Sequence, residues 1–169
     1  MPELDNRRPL KSRGSAWARG LAATLAHAGG TPNTISALSV GFAILGGALF
    51  IAAGRAEPVM RGVILLLGAL CIQLRLVCNL LDGMVAVEHG KASAAGPIWN
   101  ELPDRFADVL FLASAGYAAE LGGLHGAAVA GWLASVGALI TAYVRELGRG
   151  LGFPADFSGP MPSRTGWRR

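Results

Sequence analysis

The feature that most constrains this chain is a pair of long stretches without a charged residue, Thr31 to Gly54 and Leu121 to Val144. Each is long enough to cross a bilayer as a helix. A third apolar stretch, Gly62 to Leu81, contains one charged residue, Arg75. A further helix begins near Pro97 and continues through the apolar residues Val109 to Ala119. The chain is therefore predicted to be all-α: a polytopic membrane helix bundle with about four transmembrane helices.

The composition supports a membrane protein. Charged residues make up 15% of the chain and hydrophobic residues 52%, whereas soluble domains contain roughly 25% charged residues. The mean hydropathy of +0.43 points the same way. A net charge of +4 would favour nucleic acid if the basic residues formed a patch. They lie instead at the ends of apolar runs, as cytoplasmic flanks do, so we expect no nucleic-acid partner.

The apolar runs divide the chain into three parts. Residues 1–14 form a basic, cytoplasmic tail, residues 15–150 a membrane domain and residues 151–169 a C-terminal tail. The membrane domain opens with Ser15 to Ala28, whose apolar residues recur at helical spacing, so we predict an amphipathic helix that lies in the membrane interface. Cys71 and Cys78 are about 10 Å apart along a helix axis, too far for a disulfide, and we interpret both as packing residues.

Basic residues also predict the orientation in the membrane. They flank the start of the first span and the end of the fourth, and they are absent from the turn between Glu120 and Gly126. Both termini and the loop from Gly83 to Gly96 should therefore face the cytoplasm, in a multi-pass protein of the inner cell membrane. At the start of the last apolar run, Gly122 and Gly126 form a GxxxG pattern, and Gly131 and Gly137 add further small residues, which predicts close helix packing.

Between the second and third spans, polar residues recur at regular intervals. Asn79 and Asp82 are three apart and share a helix face, and a second set on the next helix is spaced by four. That second set is Asn100, Asp104 and Asp108, and the glycines between the two sets are Gly83, Gly90 and Gly96. Two helices that offer oxygen atoms to a common gap make a site for a hard cation and a phosphate.

This spacing resembles the signature of the CDP-alcohol phosphatidyltransferase family, D-x2-D-G-x2-A-R followed after eight or nine residues by G-x3-D-x3-D. The matching positions are Asp82, Gly83, Ala86, Gly96 and Asp104. The departing positions are Asn79 and Asn100, which replace aspartates, and Val87, which replaces the arginine. A shifted register with Asp104 and Asp108 as the final pair would place Asn100 where the signature has glycine, so we prefer the first register.

The resemblance implies a transferase of phospholipid biosynthesis. It would move a phosphatidyl group from CDP-diacylglycerol, or a related CDP-alcohol, to a small hydroxylated acceptor and release CMP. It also implies Mg²⁺ or Mn²⁺ as cofactor, with two such ions held by the four aspartates of the signature, and a possible homodimer. The implied metal ligands are Asn79, Asp82, Asn100 and Asp104, with Asp104 also the catalytic base. The implied substrate-binding residues are Gly83, Ala86, Gly96 and Arg105.

The departures from the signature leave other interpretations open. Family members usually have six spans and this chain has room for four, so the last two were lost or the chain is a natural short form. Two alternatives to a transferase stay open. One is a degenerate, non-catalytic member that binds metal or CDP-lipid weakly or only packs against a partner, and the other is a small channel or transport subunit that binds a cation through Asp82 and Asp104. Arg75 has a purely structural alternative as the partner of Asp82, and Asp108 has one as a charge at the cytoplasmic edge.

Overall fold

A computed structural model describes residues 15–88 and 96–153, without the side chains of Glu88, Pro97 and Asn100. These residues form five helices and the connections between them: α1 (Ala16–His27), α2 (Pro32–Arg55), α3 (Pro58–Glu88), α4 (Gly96–Leu121) and α5 (Ala127–Gly150). The prediction of an all-helical chain is thus confirmed over the described residues. The basic tail, residues 89–95 and the C-terminal tail from residue 154 lie outside them.

The boundaries of the helices follow from local sequence. At the start of α2, the Thr31 hydroxyl accepts a hydrogen bond from the Thr34 backbone N–H, and the Thr34 hydroxyl accepts one from the Thr31 N–H. Pro32 then occupies the first turn, where its missing N–H costs nothing. The loop expected from Gly83 begins later than expected, because α3 continues through Gly83 to Glu88.

Three of the helices are long and apolar enough to cross a membrane: Pro32–Arg55, Pro58–Val87 and Ala127–Gly150, among the described residues. The fourth expected span corresponds to α4, which is long enough but carries several charged residues in its first half. These are Glu101, Asp104, Arg105 and Asp108. Pro103 also lies inside this helix, as the sequence indicates. The count of four spans is therefore not established by length and composition.

The helices are arranged around α2. This helix packs along both α3 and α4, α5 packs on the far side of α4, and α1 packs on α3. Glycine allows the close approach: a Cβ atom on Gly46 would lie 2.6 Å from the Phe111 ring of α4 and 2.9 Å from Cys71 Cβ of α3. Because α2 lies between them, α3 and α4 touch each other directly at few points.

The contact between α4 and α5 confirms close helix packing at Gly131 of the last span and corrects the interpretation of the GxxxG pair. Gly122 and Gly126 lie in the turn between the two helices, and Gly126 precedes α5 with a φ of 82°. The close approach lies further along, where a Cβ on Gly116 would be 2.9 Å from Gly131 Cα and 2.6 Å from the Ala127 carbonyl oxygen. Glycines four apart suit a turn as well as a helix interface, so their spacing alone does not separate the two.

One hydrophobic core lies where α1, α2 and α3 meet. Its buried members on α3 include Cys78, Leu81, Met84 and Val85. Helix α1 contributes Ala18 and Ala22, whereas the face with Trp17 and Leu21 is exposed, as a helix at a lipid interface would present it. The interpretation of both cysteines as packing residues is confirmed, since Cys71 and Cys78 are free and buried.

Candidate functional site

The two halves of the polar sequence pattern meet where the end of α3 faces the start of α4. Asn79 of α3 donates a hydrogen bond from Nδ2 to Oδ1 of Asp104 on α4. Asn79 lies one helical turn after Arg75, so both side chains project from the same face of α3. This contact spans twenty-five residues of sequence. It brings together two positions of the signature that the chain separates by a helix end and a connection.

Arg75 reaches across to α4 through one nitrogen atom. Its Nη2 lies 2.9 Å from Asp104 Oδ1 and 3.7 Å from Asp108 Oδ1, and it donates to the Asp104 backbone oxygen at 3.4 Å. Arg75 is only 9% exposed. The alternative that it pairs with Asp82 does not hold for these residues, because seven positions along a helix are about 10 Å apart. Its partners lie on the neighbouring helix.

Two further arginines complete the pairing of the acidic residues on α4. Arg105 lies 3.3 Å from Asp108 and 3.9 Å from Asp104, and it lies 3.8 Å from Glu101. Arg145 of α5 forms a 2.7 Å ion pair with Glu101. Sequence reasoning interpreted Arg145 as a flank of the last span. Nothing in the linear pattern indicates that the end of α5 lies beside the start of α4.

We call this network the polar junction. Its members are Arg75 and Asn79 of α3, Glu101, Asp104, Arg105 and Asp108 of α4, and Arg145 of α5. It contains three carboxylates and three guanidinium groups, so its formal charges cancel. Beside it, a groove of about 340 Å³ is lined by Ile98, Glu101, Leu102 and Arg105. Although Glu101 and Arg105 line it, the groove is wide open and its exposed surface is almost entirely apolar.

Asp82 lies outside the polar junction and is buried, with 5% of its surface exposed. Its Oδ2 accepts a 2.6 Å hydrogen bond from the Ser36 hydroxyl of α2. Its Oδ1 is buried and has no hydrogen-bond partner among the described residues. Sequence reasoning missed Ser36; the available signal was a hydroxyl inside a charge-free span, one turn after the helix start. A buried carboxylate oxygen without a donor is a place where a further ligand can bind.

The remaining predicted site residues are less closely assembled. Gly83 is part of α3, and a Cβ atom there would meet open space, while Ala86 is half-buried on the same helix. Gly96 is the first residue of α4. The side chain of Asn100 lies outside the part of the chain that the structure describes, as does Gly90. Val87, which replaces the arginine of the signature, is exposed.

The donor set can be tested against the two divalent ions that the resemblance implies. Within residues 15–88 and 96–153, no three His, Cys, Asp or Glu side chains are grouped as a metal site would require. The carboxylates of Asp104 and Asp108 are already neutralised by arginines, and Glu101 pairs with Arg145. These residues do not fit two ions. The unpartnered oxygen of Asp82 offers a single ligand atom for one ion.

Comparison with known proteins gives one relative. The chain is 34% identical, over 134 residues, to "Bifunctional IPC transferase and DIPP synthase" of Rubrobacter xylanophilus. The alignment covers 76% of this chain and 27% of the relative, so the chain spans about a quarter of that protein's length. No protein-family model matches the chain. No solved structure matches it either. The similarity therefore relates this helical chain to one region of a protein that is named as a transferase.

Proposed function

We propose that the chain is a membrane-embedded transferase of the CDP-alcohol phosphotransferase type. It transfers a phosphatidyl group from CDP-diacylglycerol, or a related CDP-alcohol, to a small hydroxylated acceptor and releases CMP, as a step of phospholipid biosynthesis. The observation that carries the proposal is the contact between Asn79 and Asp104, because it joins the two halves of the signature in the register the spacing indicates. The similarity to a named transferase supports the same family.

The reaction needs a base, and Asp104 is the best placed residue for it. The acceptor hydroxyl attacks the lipid-bearing phosphorus, its proton passes to Asp104, a new P–O bond forms and the bond to CMP breaks. Asn79 and Arg75 both contact Oδ1 of Asp104. They fix the carboxylate in one orientation and leave Oδ2, which lies 3.9 Å from Arg105, as the oxygen that receives the proton. Its side chain is 24% exposed, so an acceptor can reach it.

The diphosphate of the donor needs positive charge, and arginine supplies it in this proposal. Arg105 is partly exposed and lines the groove beside the polar junction. Guanidinium groups bind phosphate oxygens in pairs, so Arg105 can take over the function of the arginine that Val87 replaces. Gly83 supports this arrangement, since the open space beside it lets a nucleotide approach the helix backbone.

One divalent cation, Mg²⁺ or Mn²⁺, is compatible with the site. Asp82 would hold it through its unpartnered oxygen, with the Asn79 side-chain carbonyl and Asn100 as neutral ligands. When bound, such an ion neutralises the diphosphate and stabilises the departing CMP. Because asparagine adds no negative charge, the substrate phosphates have to supply most of the compensation.

The placement in the membrane is part of the proposal. Helix α4 forms a fourth span, with its polar first half at the cytoplasmic surface and its apolar second half in the bilayer. The termini face the cytoplasm, and the exposed apolar faces of α3 and α5 contact lipid or a second copy of the chain in a homodimer. These faces include Leu66, Leu70, Leu133 and Ile140.

The test is CMP release by the purified chain in lipid nanodiscs. Wild-type protein is supplied with CDP-diacylglycerol and a panel of acceptors that includes glycerol phosphate, inositol phosphate and serine. We expect CMP release that depends on one of the acceptors and that is retained in Glu57→Gln, a control at an exposed carboxylate in the α2–α3 connection. If wild type releases no more CMP than Asp104→Asn with every acceptor, the proposal is wrong.

A second function, binding without turnover, is favoured by one observation. The carboxylates of Asp104 and Asp108 both form ion pairs with arginines. An ion pair makes a carboxylate a weaker base, so it opposes proton transfer from the acceptor. A non-catalytic member of the family would bind CDP-diacylglycerol in the same groove and leave it intact. Retention of radiolabelled CDP-diacylglycerol without CMP release would identify this function. The third interpretation, a cation-transport subunit, has no comparable support, because the carboxylates of Asp104 and Asp108 are paired with arginines.

A further inference from the structure

Arg75 occupies the space between α3 and α4 where the resemblance leads us to expect a second divalent ion. Arg75 Nη2 lies among three oxygens that belong to one turn of α4: Asp104 Oδ1 at 2.9 Å, the Asp104 backbone oxygen at 3.4 Å and Asp108 Oδ1 at 3.7 Å. All three contacts use one nitrogen, whereas a paired guanidinium usually uses two. The nitrogen is therefore surrounded by oxygens on one side, as a bound metal ion would be.

We propose that the guanidinium of Arg75 takes the place of a divalent cation between α3 and α4. A bound Mg²⁺ would need several oxygens at 2.0–2.1 Å in octahedral geometry. The distances around Nη2 are those of hydrogen bonds and ion pairs. An Mg²⁺ ion at the position of Nη2 would lie 2.9 Å or more from each of the three oxygens, beyond its coordination distance.

Charge supports the same inference. Asp104 and Asp108 carry two negative charges, and Arg75 and Arg105, which contact them, carry two positive charges. A further divalent ion at this position would face a neutral set that includes two cations at close range. Replacement of the signature's aspartate by Asn79 fits this arrangement, because the amide N–H donates to Asp104 where a carboxylate would repel it.

The arrangement also explains how α3 and α4 are connected. Helix α2 lies between them and direct contact is limited, so the buried contact of Arg75 with Asp104 is a principal link. In a metal-dependent site the ion would make that link and its loss would loosen the helices. Here a covalently attached cation makes it, and Arg75 acts as a positioning residue for Asp104. The inference goes beyond the transfer reaction and holds whether or not the chain releases CMP.

The test is Mn²⁺ binding to the full chain in nanodiscs without CDP-lipid, measured by electron paramagnetic resonance. Wild type should bind Mn²⁺ weakly, since its α4 carboxylates are neutralised. Arg75→Leu removes the cation and should gain one equivalent of bound Mn²⁺, with an affinity at least about tenfold higher. Arg75→Lys retains the charge and should behave as wild type. Arg55→Leu, at the exposed far end of α2, is the matched control and should also behave as wild type.

Several outcomes would overturn the inference. Arg75→Leu that folds and binds no more Mn²⁺ than wild type would do so, as would Arg75→Lys that gains as much as Arg75→Leu. If Arg75→Leu folds only when Mn²⁺ is added, the ion has replaced the guanidinium and the inference is supported. If the variant stays unfolded at every Mn²⁺ concentration, it is refuted.

A melting measurement in a variant without the Asp82 carboxylate gives an independent check. Because Arg75 supplies the link between α3 and α4, the melting temperature of substrate-free Asp82→Asn, which lacks the carboxylate proposed to hold the other ion, should be the same in EDTA and in millimolar Mg²⁺. A melting temperature that falls in EDTA and recovers with Mg²⁺ would show that a metal ion holds the helices, contrary to the inference.

Discussion

Helix α4 is joined to its neighbours by ion pairs at one end and by glycine contacts at the other. At its first half, Asp104 and Glu101 pair with arginines of α3 and α5. At its second half, Gly116 lies against Gly131 of α5, and the Ala118 carbonyl lies against Gly54 of α2. Ion pairs hold charged groups at fixed positions and leave space between helices, whereas glycine contacts leave none. The first arrangement suits a site, and the second suits a rigid base for it.

The largest effect should come from the polar end. Asp104→Asn should reduce CMP release by about 10²–10⁴-fold, because the amide cannot accept the acceptor's proton. The helices should still insert, since an amide is easier to place in a membrane than a charge. Asp108→Asn should have a smaller effect on the same assay. Near-normal turnover of Asp104→Asn together with loss in Asp108→Asn would place the register one helical turn further along α4.

Substitutions at the glycine contacts of α4 should lower the stability of the protein and leave the chemistry of the site unchanged. Gly131→Val would force atoms against the Leu112 carbonyl oxygen, 2.7 Å from the new Cβ, and this backbone cannot move aside easily. We expect a loss of about 3 kcal/mol of unfolding free energy, measured by denaturant titration in mixed micelles. Gly137→Ala is the matched control on the same helix, because its Cβ would meet open space. An equal loss in both variants would remove the distinction between the two ends of α4.

The hydrogen bond between Ser36 and Asp82 should contribute to the stability of the protein. Ser36→Ala removes the hydroxyl that donates to this buried carboxylate and should cost about 2 kcal/mol of unfolding free energy. Thr141→Ala removes an exposed bond within one helix and should change little. If divalent cations bind at Asp82, millimolar Mn²⁺ should bring back part of the loss in Ser36→Ala. A loss equal to that of Thr141→Ala would mean that the Asp82 contact contributes no stability.

The smallest effect is expected at the turn between α4 and α5. The Glu120 carboxylate accepts a 2.8 Å hydrogen bond from the Ala128 N–H and so satisfies one of the free donors at the start of α5. Glu120→Ala should cost about 1 kcal/mol of unfolding free energy, without a change in CMP release per folded molecule. Loss of activity in this variant would show that the glycine end also controls the site.

The sequence could predict the helices and the positions of the polar residues on them, but not the contacts between helices. The charge-free runs predict helices, and Asn79, Asp82 and Asp104 are found on α3 and α4 as their spacing indicates, because such signals are local. The partners of Arg75 and Arg145 could not be predicted, since they depend on which helices are neighbours. Ser36 was missed for the same reason: its partner Asp82 lies forty-six residues away.

The position of Arg75 has a consequence for how the protein is made. Helix α3 leaves the ribosome before α4, so Arg75 reaches the membrane before Asp104 and Asp108 do. A lone arginine near the centre of an inserting helix costs about 2.5–3.5 kcal/mol, which the many leucines of α3 have to offset. The charge that joins the finished helices therefore makes insertion of α3 less favourable. Biogenesis of this bundle depends on α4 docking soon after α3 has been inserted.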